Sequence, residues 1–199
     1  DGGSTDNTIE LVGKYTNLII INNTNSRAER INAGLNIATG KIILLHHPRS
    51  LISNEGIKYL IESSTLPKWG GFTHSFDDPH PILKFTSWYS NKVRASIFNI
   101  IYLDHCIFFT QKIKNEIGVI PNIDVFEDTV LSKLISTKFK KPVILPFSSL
   151  TSAVRFRENG IIKQSILNQF IKLLFHLGIN HKIINKVYEK TISLNSKYK

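Results

Sequence analysis

At 199 residues, 42% apolar and 20% charged, the chain is long enough to bury a core and is neither disordered nor membrane-spanning. A net charge of +10 suits anionic partners, whether nucleic acid, acidic lipid or phosphorylated ligands. The lone cysteine, Cys106, excludes an intrachain disulfide and, beside Ile107-Phe108-Phe109, is expected to be a buried, inert thiol.

The chain opens on Asp1-Gly2-Gly3-Ser4-Thr5-Asp6. Two glycines permit a tight turn, and Ser4, Thr5 and Asp6 offer caps for a helix through Ile9, Leu11 and Val12. At the carboxyl end of a buried strand, such a loop presents an acid and a helix N-terminus to a phosphate-bearing ligand. An ordinary surface turn has the same composition. The chain lacks methionine and begins inside this motif, so residues before Asp1 are expected.

Asn17–Ile21 is continuously apolar, as buried parallel strands are. Ser26 caps a predicted helix with Ala28, Ile31, Leu35 and Ala38 on one face, ended at Gly40. Lys41–Leu45 is a second buried strand, running into His46-His47-Pro48-Arg49-Ser50, which a parallel sheet would set beside the Asp1 loop. Asn54 caps the next predicted helix, Trp69–Phe76 alternates as a strand, and Asp77-Asp78-Pro79-His80-Pro81 breaks it. Ile82–Ile101 reads as one or two helices with Phe85, Trp88 and Tyr89 on the core face. Asp104–Phe109 is a strand, Thr110–Ile117 a short helix closed by Gly118, and Pro121–Asp128 an acidic loop feeding a helix through Val130, Leu131, Leu134 and Ile135. Glu127 and Asp128 at that start are either dipole-favoured caps or a general base. Pro142–Phe147 is a further strand, with the cationic stretch Thr151–Arg157 behind it.

Alternating strands and helices predict an α/β domain over residues 1–159, followed by a basic amphipathic helical extension over 160–199. From Gly160 onward there are seven lysines (163, 172, 182, 186, 190, 197, 199) against Glu189 alone. Ile162, Ile166, Leu167, Phe170, Leu173, Leu174 and Leu177 recur at helical spacing, so this face either packs on the domain or meets an anionic membrane. No nucleic-acid module is apparent, and lipid outranks nucleic acid as the partner of this tail. Without a signal peptide or spanning segment, a cytoplasmic protein peripheral to the inner face of the membrane is expected.

Asp-Gly-Gly-Ser-Thr-Asp, a Leu-His-x-x stretch after a later strand, a Glu-Asp helix start and Ser-Ala-x-Arg-aromatic occur here in one order. Together these elements resemble the family 2 glycosyltransferases, in particular a small bacterial subgroup bearing Leu-His-Ala-Asp and Ser-Ala-Arg-Arg-Trp. The resemblance covers about residues 1–180. It implies a GT-A fold, a Rossmann-like, mostly parallel sheet flanked by helices, here without its first strand-helix-strand, so that this stretch alone is expected to be inactive. It implies transfer of a sugar from a nucleotide-diphosphate donor, with inversion, to a glycan or lipid-linked acceptor.

By the same resemblance Asp1, Gly2, Ser4 and Asp6 face the nucleotide, with Arg27 and the Asn32-Ala33-Gly34 stretch beside the donor. Asp104 lies on the acceptor side, Asp128 with Glu127 is the base, and Arg155 steadies the departing diphosphate. Two positions depart from the pattern. Leu-His-Ala-Asp aligns so that the aspartate holding the family's Mg²⁺ or Mn²⁺ becomes Arg49, with His47 nearby, and a guanidinium cannot ligate a hard cation. Val154 and Phe156 replace an arginine and the tryptophan of the second motif. A degenerate nucleotide- or glycan-binding relative is therefore the alternative. A nucleotidyltransferase would want a lysine-bearing glycine-rich loop, which is not visible.

Overall fold

The computed structural model describes residues 1–24 and 26–191; Lys197 and Lys199 lie outside it, as do the side chains of Glu189 and Lys190. In chain order the elements are α1 (Thr8–Gly13), α2 (Arg27–Ile37), β1 (Ile42–Leu45), β2 (Ser50–Ile52), α3 (Asn54–Glu62), β3 (Trp69–Phe76) and α4 (Pro81–Trp88). A π-helical turn (Tyr89–Arg94) leads into α5 (Ala95–Ile97), and a 3₁₀ turn (Leu103–His105) into β4 (Ile107–Thr110). Then come α6 (Gln111–Ile117), α7 (Glu127–Phe139), β5 (Val143–Thr151), α8 (Val154–Asn159), α9 (Ile161–His176) and α10 (His181–Thr191).

Two compact units share the chain, cut differently from the 1–159 and 160–199 division. Unit 1 comprises Asp1–Ala38, Val119–Glu127 and the chain from Leu167 onward; unit 2 comprises Thr39–Gly118 and Asp128–Ile166.

All five strands belong to unit 2, in the order β1-β4-β3-β5-β2. The fold is thus mixed α/β, but the sheet is not mostly parallel: among the described residues only β3–β5 is a parallel pair, while β1–β4, β3–β4 and β2–β5 are antiparallel. An apolar run reports burial on both faces; strand direction is set by the connections, which the run does not encode. These pairings still leave β1, β3 and β5 running the same way, with β4 and β2 reversed. The carboxyl ends of β1, β3 and β5 therefore share one edge with the starts of β4 and β2. Leu60, Phe72, Cys106, Phe108 and Leu145 form the core against the sheet. Cys106 is buried as expected, and burial raises its thiol pKa.

Several local readings shift. Ser53, not Asn54, caps α3, its Oγ accepting from Gly56 N (3.3 Å). Asn17–Ile21 forms no strand; among the described residues its ladder bonds go to Asp1, whose amino nitrogen donates to Ile20 O (2.7 Å) and whose carbonyl accepts from Asn22 N (2.8 Å). Leu18 and Ile21 are accordingly exposed. Phe85, Trp88 and Tyr89 do not face the core. They make an exposed ring cluster, while Leu83 and Ser87 occupy the buried side of α4. Periodicity showed that the three share a face, but the smaller opposite face is the one that packs.

Candidate functional site

In unit 1, the Asp1 carboxylate folds back on its own loop. Oδ2 accepts from Gly3 N and Ser4 N (both 2.7 Å) and Oδ1 from Ser4 Oγ (2.5 Å). Gly3 needs its positive φ of 93°, and a Cβ there would lie 2.8 Å from Asn23 Oδ1. Gly2 is crowded by Arg30, whose Nη1 donates to Thr24 O. Asp6, one residue before the N-cap position, accepts from the hydroxyl and N–H of Thr8, the first residue of α1, and these bonds hold its carboxyl below the usual range. In α2, capped by Ser26 as expected, Asn32 is committed to the backbone of Ile120 at both ends of its amide (2.8 and 2.9 Å). Arg27 and Glu127, 100 positions apart in the chain, form an ion pair; the Glu127 side chain is fully buried and that of Arg27 about half exposed (45%). Neither Glu127 oxygen accepts a further hydrogen bond among the described residues, and Arg27 is its counter-charge.

In unit 2, the singled-out residues gather at one sheet edge. His47 and Arg49 follow β1, Arg155 follows β5, and Asp104 precedes β4. His47 Nδ1 lies 3.7 Å from Asp104 Oδ1 and accepts from Arg49 N (3.3 Å). Ser152 N donates to Arg49 O (2.9 Å), joining the β1 and β5 ends, and Ser50 Oγ meets Thr151 Oγ1 at 2.7 Å. Ser149 Oγ donates to Asp104 O (2.7 Å). Asp128 is mostly buried: Oδ2 accepts from Leu103 N (3.2 Å) and Oδ1 from Thr129 N (2.7 Å). It thereby anchors the turn that carries Asp104.

Behind this edge is a buried polar chain missed by sequence reading. Arg94 stacks on the Tyr102 ring (3.5 Å to its centre) and donates to Ser90 Oγ. Ser90 Oγ lies 2.6 Å from His105 Nε2, and His105 Nδ1 lies 2.9 Å from Phe72 O. A carbonyl can only accept, so Nδ1 carries the proton and Nε2 accepts from Ser90. The i, i+4 spacing of Ser90 and Arg94 was the available signal, though the π-helical geometry that aligns them was not.

Burial holds His105 neutral, its pKa lowered to about 3, and that of His74 to about 4. His74 lies between Phe76 and His105, and both its ring nitrogens lack hydrogen-bond partners among the described residues. The unfolded chain, titrating near 6.5, binds protons that the folded chain refuses. Stability is thus whole above pH 6.5 and lost as pH falls towards 4, by roughly 3 kcal/mol from His74 at about 1.4 kcal/mol per tenfold. His74→Phe should flatten the fall in denaturation midpoint between pH 6.5 and 4 and cost little at pH 8; an unchanged slope would locate the acid sensitivity elsewhere.

Asp77-Asp78-Pro79 does more than break the chain after β3. At the end of β3 these residues line a cavity of about 440 Å³ with Lys84 and Ser87. Arg157 bridges to Asp77 (2.9 Å), which keeps that carboxyl below its usual range.

A divalent ion does not fit the position that the resemblance assigns it. Arg49 supplies a guanidinium where an oxygen ligand is needed, and the neighbouring imidazole and carboxylate, His47 and Asp104, face each other. Comparison of the chain with protein-family models, curated proteins and solved structures returned no match.

Proposed function

We propose that the protein transfers a sugar with inversion from a nucleotide-diphosphate donor to a hydroxyl of a glycan or lipid-linked acceptor. The observation carrying this reading is the gathering of His47, Arg49, Asp104 and the Ser152–Arg155 segment at the edge where three co-directional strands end, the usual ligand edge of an α/β sheet. Asp128 accepts the acceptor's hydroxyl proton as that oxygen bonds to the anomeric carbon. The bond from this carbon to the diphosphate oxygen breaks, and the nucleoside diphosphate leaves. Arg49 and Arg155 supply fixed positive charge to the departing diphosphate, which guanidinium forks match in geometry.

A binding protein without chemistry is the second reading, favoured by Arg49 at the metal position and by the commitment of Asn32 to Ile120. A panel of nucleotide sugars, scored for turnover and thermal shift on the full-length protein, separates the two, since a binder shifts without turnover. With Arg49 replacing a metal ligand, UDP or GDP affinity by calorimetry should change less than about tenfold between EDTA and Mn²⁺. Arg49→Ala should weaken it about 10- to 100-fold, the loss of a charged hydrogen bond. A hundredfold loss in EDTA would transfer the diphosphate's counter-charge from Arg49 to a metal.

A further inference from the structure

Helix α9 carries an apolar stripe on the side it shows to solvent. Ile162, Ile166, Phe170, Leu173 and Leu177 are 62, 65, 49, 55 and 68% exposed. Their spacing sets them within one narrow arc of the helix. Gln164 and Ile171, on the opposite side, are 0 and 3% exposed, so the helix already has a packed face and the stripe is a second one. Ile179 and Ile183, beyond the Gly178 turn (φ 76°), extend the exposed apolar surface into α10. A contiguous apolar strip of this kind on a water-facing helix marks an interaction surface.

The charge around the stripe identifies the occupant. Residues 160–188 contain four lysines and no aspartate or glutamate. Lys163, Lys182 and Lys186 are exposed. A second copy seated on this face would bring lysines against lysines. An anionic bilayer takes the apolar side chains into its headgroup–acyl boundary and the lysines at its phosphates. Among the described residues no helix is long and apolar enough to cross a membrane, so contact is in the plane of the interface. We infer that α9, with the first turns of α10, docks the protein on an anionic lipid surface through the Ile162–Leu177 stripe and its lysines. This inference is independent of the sugar-transfer reading, because neither the stripe nor its lysines belong to the sheet-edge cluster.

Each lysine close to an anionic leaflet strengthens binding about fivefold, and salt removes the effect as the Debye length shrinks. The full-length protein should sediment with vesicles of phosphatidylcholine and phosphatidylglycerol, be released near half-molar salt, and remain in the supernatant with phosphatidylcholine alone. Lys163→Glu/Lys182→Glu/Lys186→Glu should weaken binding at least about a hundredfold. Phe170→Ser/Leu173→Ser should weaken vesicle binding at low salt at least about tenfold, the apolar area no longer taken into the bilayer. Both variants change exposed side chains, and their denaturation midpoints should match the parent. A polarity-sensitive dye on Leu173→Cys, in a Cys106→Ser background, should shift to the blue only with the anionic vesicles. Equal recovery on neutral vesicles, an unshifted dye, or dimerisation by light scattering without vesicle binding would each overturn the inference. The last would assign the stripe to a second copy.

Discussion

Asp128→Asn is expected to lower sugar transfer by the full-length protein about 10²- to 10⁴-fold, the usual contribution of a positioned base, while leaving nucleotide affinity within a few-fold. The amide keeps an oxygen for Leu103 N, which retains the Leu103–His105 turn, but sets its NH2 against Thr129 N, so one backbone acceptor is lost together with proton acceptance. Asp104→Asn is the control on the same turn. Asp104 is the more exposed carboxylate, beside His47, and its loss should act on acceptor affinity. If the Asp104 variant instead takes the large rate loss, and the Asp128 variant loses only thermal stability, the base is Asp104 and Asp128 is its support.

Gly70→Ala should be the most damaging single methyl in the sheet. A Cβ at Gly70 would sit 1.9 Å from Val143 O and 2.9 Å from its carbonyl carbon. Gly70 pairs with Val143 of β5 on one side and Phe108 of β4 on the other, so neither backbone can give way without breaking a ladder. The expected destabilisation is at or above the roughly 3 kcal/mol that bounds ordinary overpacking, a large share of the 5–15 kcal/mol typical of a whole domain. Gly34→Ala is the matched contrast. It lies within α2, exposed, with nothing within 4 Å of a new Cβ, and should gain about 0.5–1 kcal/mol from helix propensity. Chemical denaturation of both variants tests the pair. A Gly70→Ala protein unfolding within about 1 kcal/mol of the parent would mean that β3 and β5 are not held at this spacing.

The residues by themselves determined what neighbours along the chain can settle. Ser26 starts α2 because its hydroxyl reaches Glu29 N three residues on, and Gly118 ends α6 because its φ of 65° suits glycine. The apolar runs at β1 and β4, the alternation of β3 and the acidic start of α7 were legible for the same reason: each is a local preference repeated over a few residues. So was the grouping of residues on helix faces, in α4 and α9 alike. Tertiary structure decided which of those faces is covered, because periodicity states that Phe85, Trp88 and Tyr89 share a side but not what lies opposite. It decided the direction of β4, since antiparallel and parallel ladders draw on the same apolar residues. It turned Asn32 towards Ile120 and paired Arg27 with Glu127, long-range contacts that no spacing encodes. His47, Arg49, Asp104 and Ser152 meet at one edge for the same reason: strand pairing brings together positions that the chain keeps up to 105 residues apart.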